Sequence, residues 1–204
     1  CPPERTDWFP NGVDRDYFEP DGETYDEQRL AFVGHMDYFP NQQAMTEFCA
    51  NVWPALKRAR PLRKLTIVGA QPSRAVRALA ALEGVEVTGS VPDVRPYLRD
   101  SALTVAPLII ARGTQNKILE SLAMGVPVVC SRAAADGVDV APGEHLLVAD
   151  APHEWVAQIS RVLDEPALRR QLSEAGRTRV TSHHDWDDSM RRVDDLIERA
   201  LELH

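Results

Sequence analysis

At 204 residues, with 44% hydrophobic and 26% charged side chains, the chain has enough material for one full-sized hydrophobic core rather than for two. Its longest apolar run, 103–111, ends at Arg112 and falls well short of the roughly 18 residues that a membrane helix needs. A net charge of −8 disfavours nucleic acid and anionic lipid surfaces as partners, but leaves room for a small anion in a locally positive pocket.

In chain order, residues 1–29 carry Pro2, Pro3, Pro10 and Pro20 among several acids and read as a connector without regular structure. The first residue is Cys1, followed by neither a basic start nor an apolar signal core, so the reading is a beginning inside a longer polypeptide. Short β-rich runs then recur at 30–34, 64–69, 85–89, 103–107, 127–131 and 145–149, with helical segments between them. These runs are apolar on both faces. Such strands alternating with amphipathic helices predict an α/β domain over 30–184, a doubly wound parallel sheet of about six strands covered on both sides. Ligands of such sheets bind outside the carboxyl ends of the strands, which directs the search to the segments after Gly34, Gly69, Gly89, Pro107 and Ser131.

From Pro152 onward the pattern is helical: 153–163, 166 to about 180, and 185 to about 203, with Pro166 at a first turn. On the last helix Trp186, Met190, Val193, Leu196, Ile197 and Ala200 form a one-sided apolar stripe. Residues 185–204 are therefore expected to pack outward as well as inward. The cysteines, Cys1, Cys49 and Cys130, are odd in number, and the latter two have apolar neighbours, which suits reduced buried thiols and a cytoplasmic setting.

The richest stretch is 106–129, APLIIARGTQNKILESLAMGVPVV. A strand ends near Pro107, a loop runs through Arg112, Gly113 and Thr114, and a helix is expected from Asn116 to the stop at Gly125 and Pro127. Gly113 lets the backbone approach a ligand, and the free amides and dipole of the first helical turn offer an anion site. Lys117 sits in that first turn, where a lysine is unfavourable for the helix and favourable for a diphosphate. Glu120 lies one turn further on the face of Asn116 and Lys117, where a carboxylate accepts both hydroxyl protons of a ribose. By spacing alone, an ordinary loop glycine with solvated Lys117 and Glu120 explains the same pattern equally well.

The run 113–129 resembles the donor-site signature of the group 1 retaining glycosyltransferases. Its core reads Leu119, Glu120, Ser121, Leu122, Ala123, Met124, Gly125, Val126, Pro127, Val128, Val129, against the family pattern Leu-Glu-Ala-Met-Ala-x-Gly-x-Pro-Val-Val. Pro10, Asn11, Gly12, Val13 and Asp14, with Phe18 and Pro20, resemble the connector of that family, and 65–69 and 87–91 its next strand ends. GHMDYFPN at 34–41 and GTQNKILE at 113–120 are similar to a subgroup linked to bacterial exopolysaccharide and exosortase gene clusters. The resemblance implies the C-terminal, Rossmann-like half of a two-domain GT-B enzyme that binds a nucleoside-diphosphate sugar, with its N-terminal acceptor half expected outside this sequence. It implies metal-independent transfer without a cofactor, and a last helix that crosses back toward the other half.

By the same resemblance Glu120 binds the donor ribose and the amides of Thr114, Gln115, Asn116 and Lys117, beside Gly113 and Leu119, hold the diphosphate. Ser90 and Val91 contact the base, and Gly34 and His35 face the phosphates or the sugar. Arg112, Lys117 and Glu120 are the expected catalytic group. Two departures stand out. The family places a second glutamate eight positions before the ribose-binding one, where this chain has Arg112, and it often carries arginine and lysine where this chain reads His35, Met36, Asp37, Tyr38. Arg112 then either supplies the missing diphosphate cation or reads a carboxylate on an acidic donor.

Rival readings are a flavodoxin-like binding or receiver domain and a GT-B nucleotide-sugar epimerase. A receiver needs clustered acids and a phosphorylatable aspartate at strand ends where Gly34 and Pro107 stand. His183 and His184 lack the acidic or cysteine partners of a metal site, and no metal is expected. Asp136 and Asp139 read as loop carboxylates, Trp8, Trp53, Trp155 and Trp186 as packing residues, and Ser131 lacks the context of a nucleophile.

Overall fold

The computed structural model describes residues 11–20, 22 and 24–202. Cys1, Trp8 and the prolines at 2, 3 and 10 of the expected connector lie outside the described residues. Six strands, β1 Asp26–Val33, β2 Lys64–Val68, β3 Val85–Gly89, β4 Ser101–Ala106, β5 Val128–Cys130 and β6 Leu147–Val148, form one sheet in the order β3-β2-β1-β4-β5-β6. Every pairing is parallel. The fold is the expected doubly wound α/β, Rossmann-like sheet, and its strand order reverses between β1 and β4, where such sheets open a crevice.

β1 begins at Asp26, four residues before the expected start. Asp26, Glu27, Gln28 and Arg29 look polar enough for a connector, yet their backbone pairs with neighbouring strands: the Asp26 amide donates to Asp100 at 3.0 Å, and Arg29 pairs with Lys64. β6 is shorter than expected because 141–146 is occupied by a turn in which Gly143 donates to Leu146 and the Ala141 amide to Nδ1 of His145.

Helices α1 Phe39–Asn51, α2 Trp53–Ala59 and α7 Pro152–Asp164 bury Met45, Phe48, Leu56, Trp155 and Ile159 with Phe32, Leu65, Ile67 and Leu103 of the sheet. Phe48 and Trp155 meet edge to face, 5.7 Å between centroids. α5 Asn116–Ala123, the short α6 Arg132–Ala135 and α8 Pro166–His183 contribute Ile118, Leu119, Leu122, Ala134 and Val180 to a second cluster with Ala106, Val128 and Cys130. Short α3 Arg74–Ala78 and α4 Arg95–Arg99 complete the crossovers. Cys49 and Cys130 are free and buried, and burial pushes both thiols up to about 12.

The last helix, α9 Trp186–Glu202, starts one residue later than the pattern suggests because Asp185 caps it, accepting the amides of Asp187 and Asp188. Residues 11–18 fold back onto this corner. Val13 donates to the His184 carbonyl, Nδ1 of His184 lies 2.8 Å from the Asn11 carbonyl, and Arg15 pairs with Asp185. His183 and His184 therefore serve a turn, as expected: His183 pairs with Arg179, and His184 pins the incoming chain.

Candidate functional site

The ends of β1, β2 and β3 are staggered against one another. The Gly34 amide donates to Val68 at 3.0 Å, Gly69 to Gly89 at 3.2 Å, and Met36 to Ala70 at 2.9 Å. A Cβ on Gly69 would fall 1.7 Å from the Gly34 carbonyl oxygen, so a side chain at 69 would drive these two loops apart. Beyond them opens a cavity of about 700 Å³. Gly34, His35, Tyr38 and Asn41 line it from the β1–α1 side, and Gly69, Ala70, Ser90 and Val91 from the ends of β2 and β3. Leu108, Ile110, Arg112, Thr114, Gln115, Asn116, Lys117 and Glu120 close it from the β4–α5 side.

α5 opens toward this cavity. Among the described residues, the backbone amides of Thr114, Gln115, Asn116 and Lys117 find no acceptor, while Ile118 and Leu119 already bond to the Gln115 carbonyl. Free amides at a helix N-terminus are the chemistry that holds anions. The loop before them is held by Gln115, whose buried amide nitrogen donates to the Gly113 carbonyl at 3.1 Å and lies 3.4 Å from that of Arg112. Asn116 accepts from the side chain of Asn11 at 3.2 Å, which joins the incoming segment to the same turn.

Lys117 does not extend into solvent. Its ammonium donates to Oδ1 of Asn41 at 2.6 Å and lies 4.7 Å from the centroid of the Phe32 ring, while the Asn41 amide donates to the His35 carbonyl at 2.8 Å. A Cβ on Gly34 would lie 3.2 Å from Lys117 Nζ and 2.9 Å from Asn41 Nδ2. The glycine at the end of β1 is therefore what admits this cation. Burial pulls the Lys117 ammonium down to about 8, against an opposing pull from Glu120. Burial likewise raises Glu120, with Lys117 acting the other way. A buried ammonium held by one neutral amide, with a carboxylate one turn away, has unspent capacity for an anion.

Gly34, His35, Ser90, Val91, Arg112, Thr114, Gln115, Asn116, Lys117 and Glu120 thus gather around one cavity. Two expected residues do not. Leu119 is 1% exposed and points into the second core cluster, because it lies off the face that carries Asn116 and Glu120. Gly113 lines a neighbouring hollow with Thr114, Asp136 and Asp139; it adopts a φ of +67°, which favours glycine, and a Cβ there would meet no protein atom within 4 Å. Asn41 escaped sequence reasoning as an individual residue, although the stretch 34–41 carried part of the resemblance. Its partner is 76 positions away, and only its buried place on an otherwise apolar helix face signals a role.

The profile of a family described as glycosyl transferases group 1 matches residues 27–165. That span includes the whole cavity except Phe18. The chain belongs to the group 1 glycosyl transferase family. A D-inositol 3-phosphate glycosyltransferase of Acidothermus cellulolyticus is 27% identical over 98% of this chain and 49% of its own length. The chain thus spans about half of that curated relative, and 37% of the homologous Corynebacterium glutamicum protein. In structure, it superposes on the sucrose-phosphate synthase of Thermosynechococcus elongatus with a TM-score of 0.77 at 21% identity, covering 96% of this chain and 53% of that one. It superposes on Anabaena HepE, solved in complex with UDP and glucose, with a TM-score of 0.74 at 12% identity over 92% of this chain and 55% of that one. These likenesses place the glycosyl transferase fold; they do not favour the receiver or epimerase readings. Among the described residues no helix is long and apolar enough to cross a membrane.

Proposed function

We propose that this chain is the donor-binding half of a GT-B glycosyl transferase and that the cavity at the start of α5 holds a nucleoside-diphosphate sugar. The observation that carries the reading is the Lys117 ammonium, held by Asn41 beside four free amides, with Glu120 one helical turn further on. The diphosphate lies against the amides and Lys117, Glu120 accepts the ribose hydroxyls, and the base rests near Ser90 and Val91. Gly34 and His35 face the phosphates from the other side. Fixed amides and one cation stabilise the charge that builds on the departing diphosphate, the service a divalent metal performs in other enzymes. The transfer is retaining and metal-independent, as the resemblance implies, and its setting is polysaccharide or glycoconjugate synthesis in the cytoplasm.

The acceptor half packs against the outward stripe of α9, where Trp186, Met190 and Ile197 are 44%, 44% and 53% exposed. The curated relatives' roughly double length supports a second half. A thermal-shift screen with UDP, GDP, ADP and their sugars tests the donor reading. UDP heads the screen because the Anabaena structure was solved with it. A ligand at about 100 times its Kd should add about 2.7 kcal/mol of stability. No stabilisation by any nucleotide would refute the reading.

A further inference from the structure

The donor is a linear molecule, and the cavity wall has a linear order. Glu120 lies three residues beyond Lys117, about 4.5 Å along the helix axis at about 1.5 Å per residue, which matches one ribose-to-diphosphate step. Before the free amides in the chain comes the loop that precedes the helix, and its cavity-lining side chains are Ile110, Arg112 and Thr114. With ribose at Glu120 and diphosphate at the first turn, the sugar falls against this loop.

Arg112 is exposed there, and among the described residues its guanidinium has no hydrogen bond or ion-pair partner; of the arginines without one, it is the one that lines this cavity. It is also not tied into the Lys117–Asn41 cluster, which already supplies the diphosphate with its cation. A guanidinium has five donors and no acceptor. A sugar hydroxyl, which gives a proton as readily as it takes one, leaves that fork half used, whereas a carboxylate fills it with two parallel charged bonds.

We infer that Arg112 selects a donor whose sugar carries a carboxylate, a nucleoside-diphosphate uronic acid. The inference rests on the donor-site reading above and names the substrate class of that same site. Arg112 faces the sugar's carboxyl group, Lys117 and the α5 amides face the diphosphate, and a neutral hexose leaves the guanidinium hydrated.

Calorimetry on this chain separates the possibilities. The probes are UDP, GDP, UDP-glucose, UDP-glucuronate, GDP-mannose and GDP-mannuronate, with the wild type and with Arg112→Ala and Arg112→Lys. For the base that binds, the uronate should bind about tenfold more tightly than its neutral counterpart. Arg112→Ala should erase that preference and leave the affinity for the bare diphosphate within about twofold, and Arg112→Lys should retain part of it. Equal affinity for the acidic and neutral sugars in the wild type overturns the inference while the donor site stands. So does an equal loss for bare diphosphate and uronate in Arg112→Ala, which would make Arg112 a second diphosphate cation. Binding of no nucleotide at all overturns the donor site and this inference together.

Discussion

Lys117 Nζ and Asn41 Oδ1 lie 2.6 Å apart, joining the first turn of α5 to the third residue of α1 across 76 positions of sequence. The contact draws a cation inward over the Phe32 ring, where among the described residues no carboxylate lies within ion-pair distance and Glu120 acts on it only from one turn away. Burying a lysine in this place costs stability, and under the donor-site proposal a bound anion offsets that cost.

Lys117→Met should therefore separate folding from binding. Removing a buried ammonium lifts its desolvation cost, so the melting temperature at neutral pH should equal or exceed that of the wild type. Nucleoside-diphosphate affinity should fall by about 1.5 to 3 kcal/mol, the scale of a charged hydrogen bond. Paired thermal melts and titrations check both arms; a large drop in Tm with unchanged affinity would make Lys117 a structural residue.

The same group sets a pH dependence. Its pKa is lowered to about 8, so between that value and the ordinary lysine range the unfolded chain holds a proton that the folded chain has released. The stability tied to Lys117 thus rises with pH through this window, and below about 8 the full burial cost applies. An anion in the cavity restores the charge. Calorimetry at about pH 8.5 in two buffers of different ionisation enthalpy should show uptake of a fraction of a proton on nucleotide binding, absent in Lys117→Met.

Glu120→Gln should weaken nucleotide binding by about 1.5 to 3 kcal/mol with the fold intact, since an amide accepts two hydroxyl protons less well than a carboxylate. Burial raises the Glu120 pKa, so wild-type affinity should decline on acidification at a higher pH than for an ordinary carboxylate, and the variant should lose that decline.

Much of this was legible in the sequence because strands and helix stops are local. Lys64 to Val68 reads as a strand from its own residues, and Gly125, at a φ of +68°, ends α5 as its position before Pro127 suggests. What escaped is what two distant segments make together. The polar start of β1 is a strand only because Ser101 and Lys64 are there to pair with it, and Asn41 matters only because Lys117 reaches it. Leu119 shows that within a donor-site motif a side chain can serve the core, since a helix turns each successive side chain by about 100°.

The two glycines at the strand ends should behave differently on substitution by alanine. Gly34→Ala meets the movable ends of Asn41 and Lys117, so the protein should fold and lose nucleotide affinity as the cation is displaced. Gly69→Ala meets the backbone oxygen of Gly34 at 1.7 Å and should cost about 1 to 3 kcal/mol or more of stability. Denaturant unfolding of both variants ranks them; the reverse order would contradict the packing described at this crevice.

The most direct test of the donor site is a titration of isotopically labelled protein with the nucleoside diphosphate that stabilises it, followed through backbone amide resonances. The account predicts that the largest shifts cluster at Gly34, Thr114, Gln115, Asn116, Lys117 and Glu120, with smaller ones at Ser90 and Val91. Shifts centred instead on the separate hollow between Glu47, Ser131 and Trp155, or spread evenly over the surface, would contradict it.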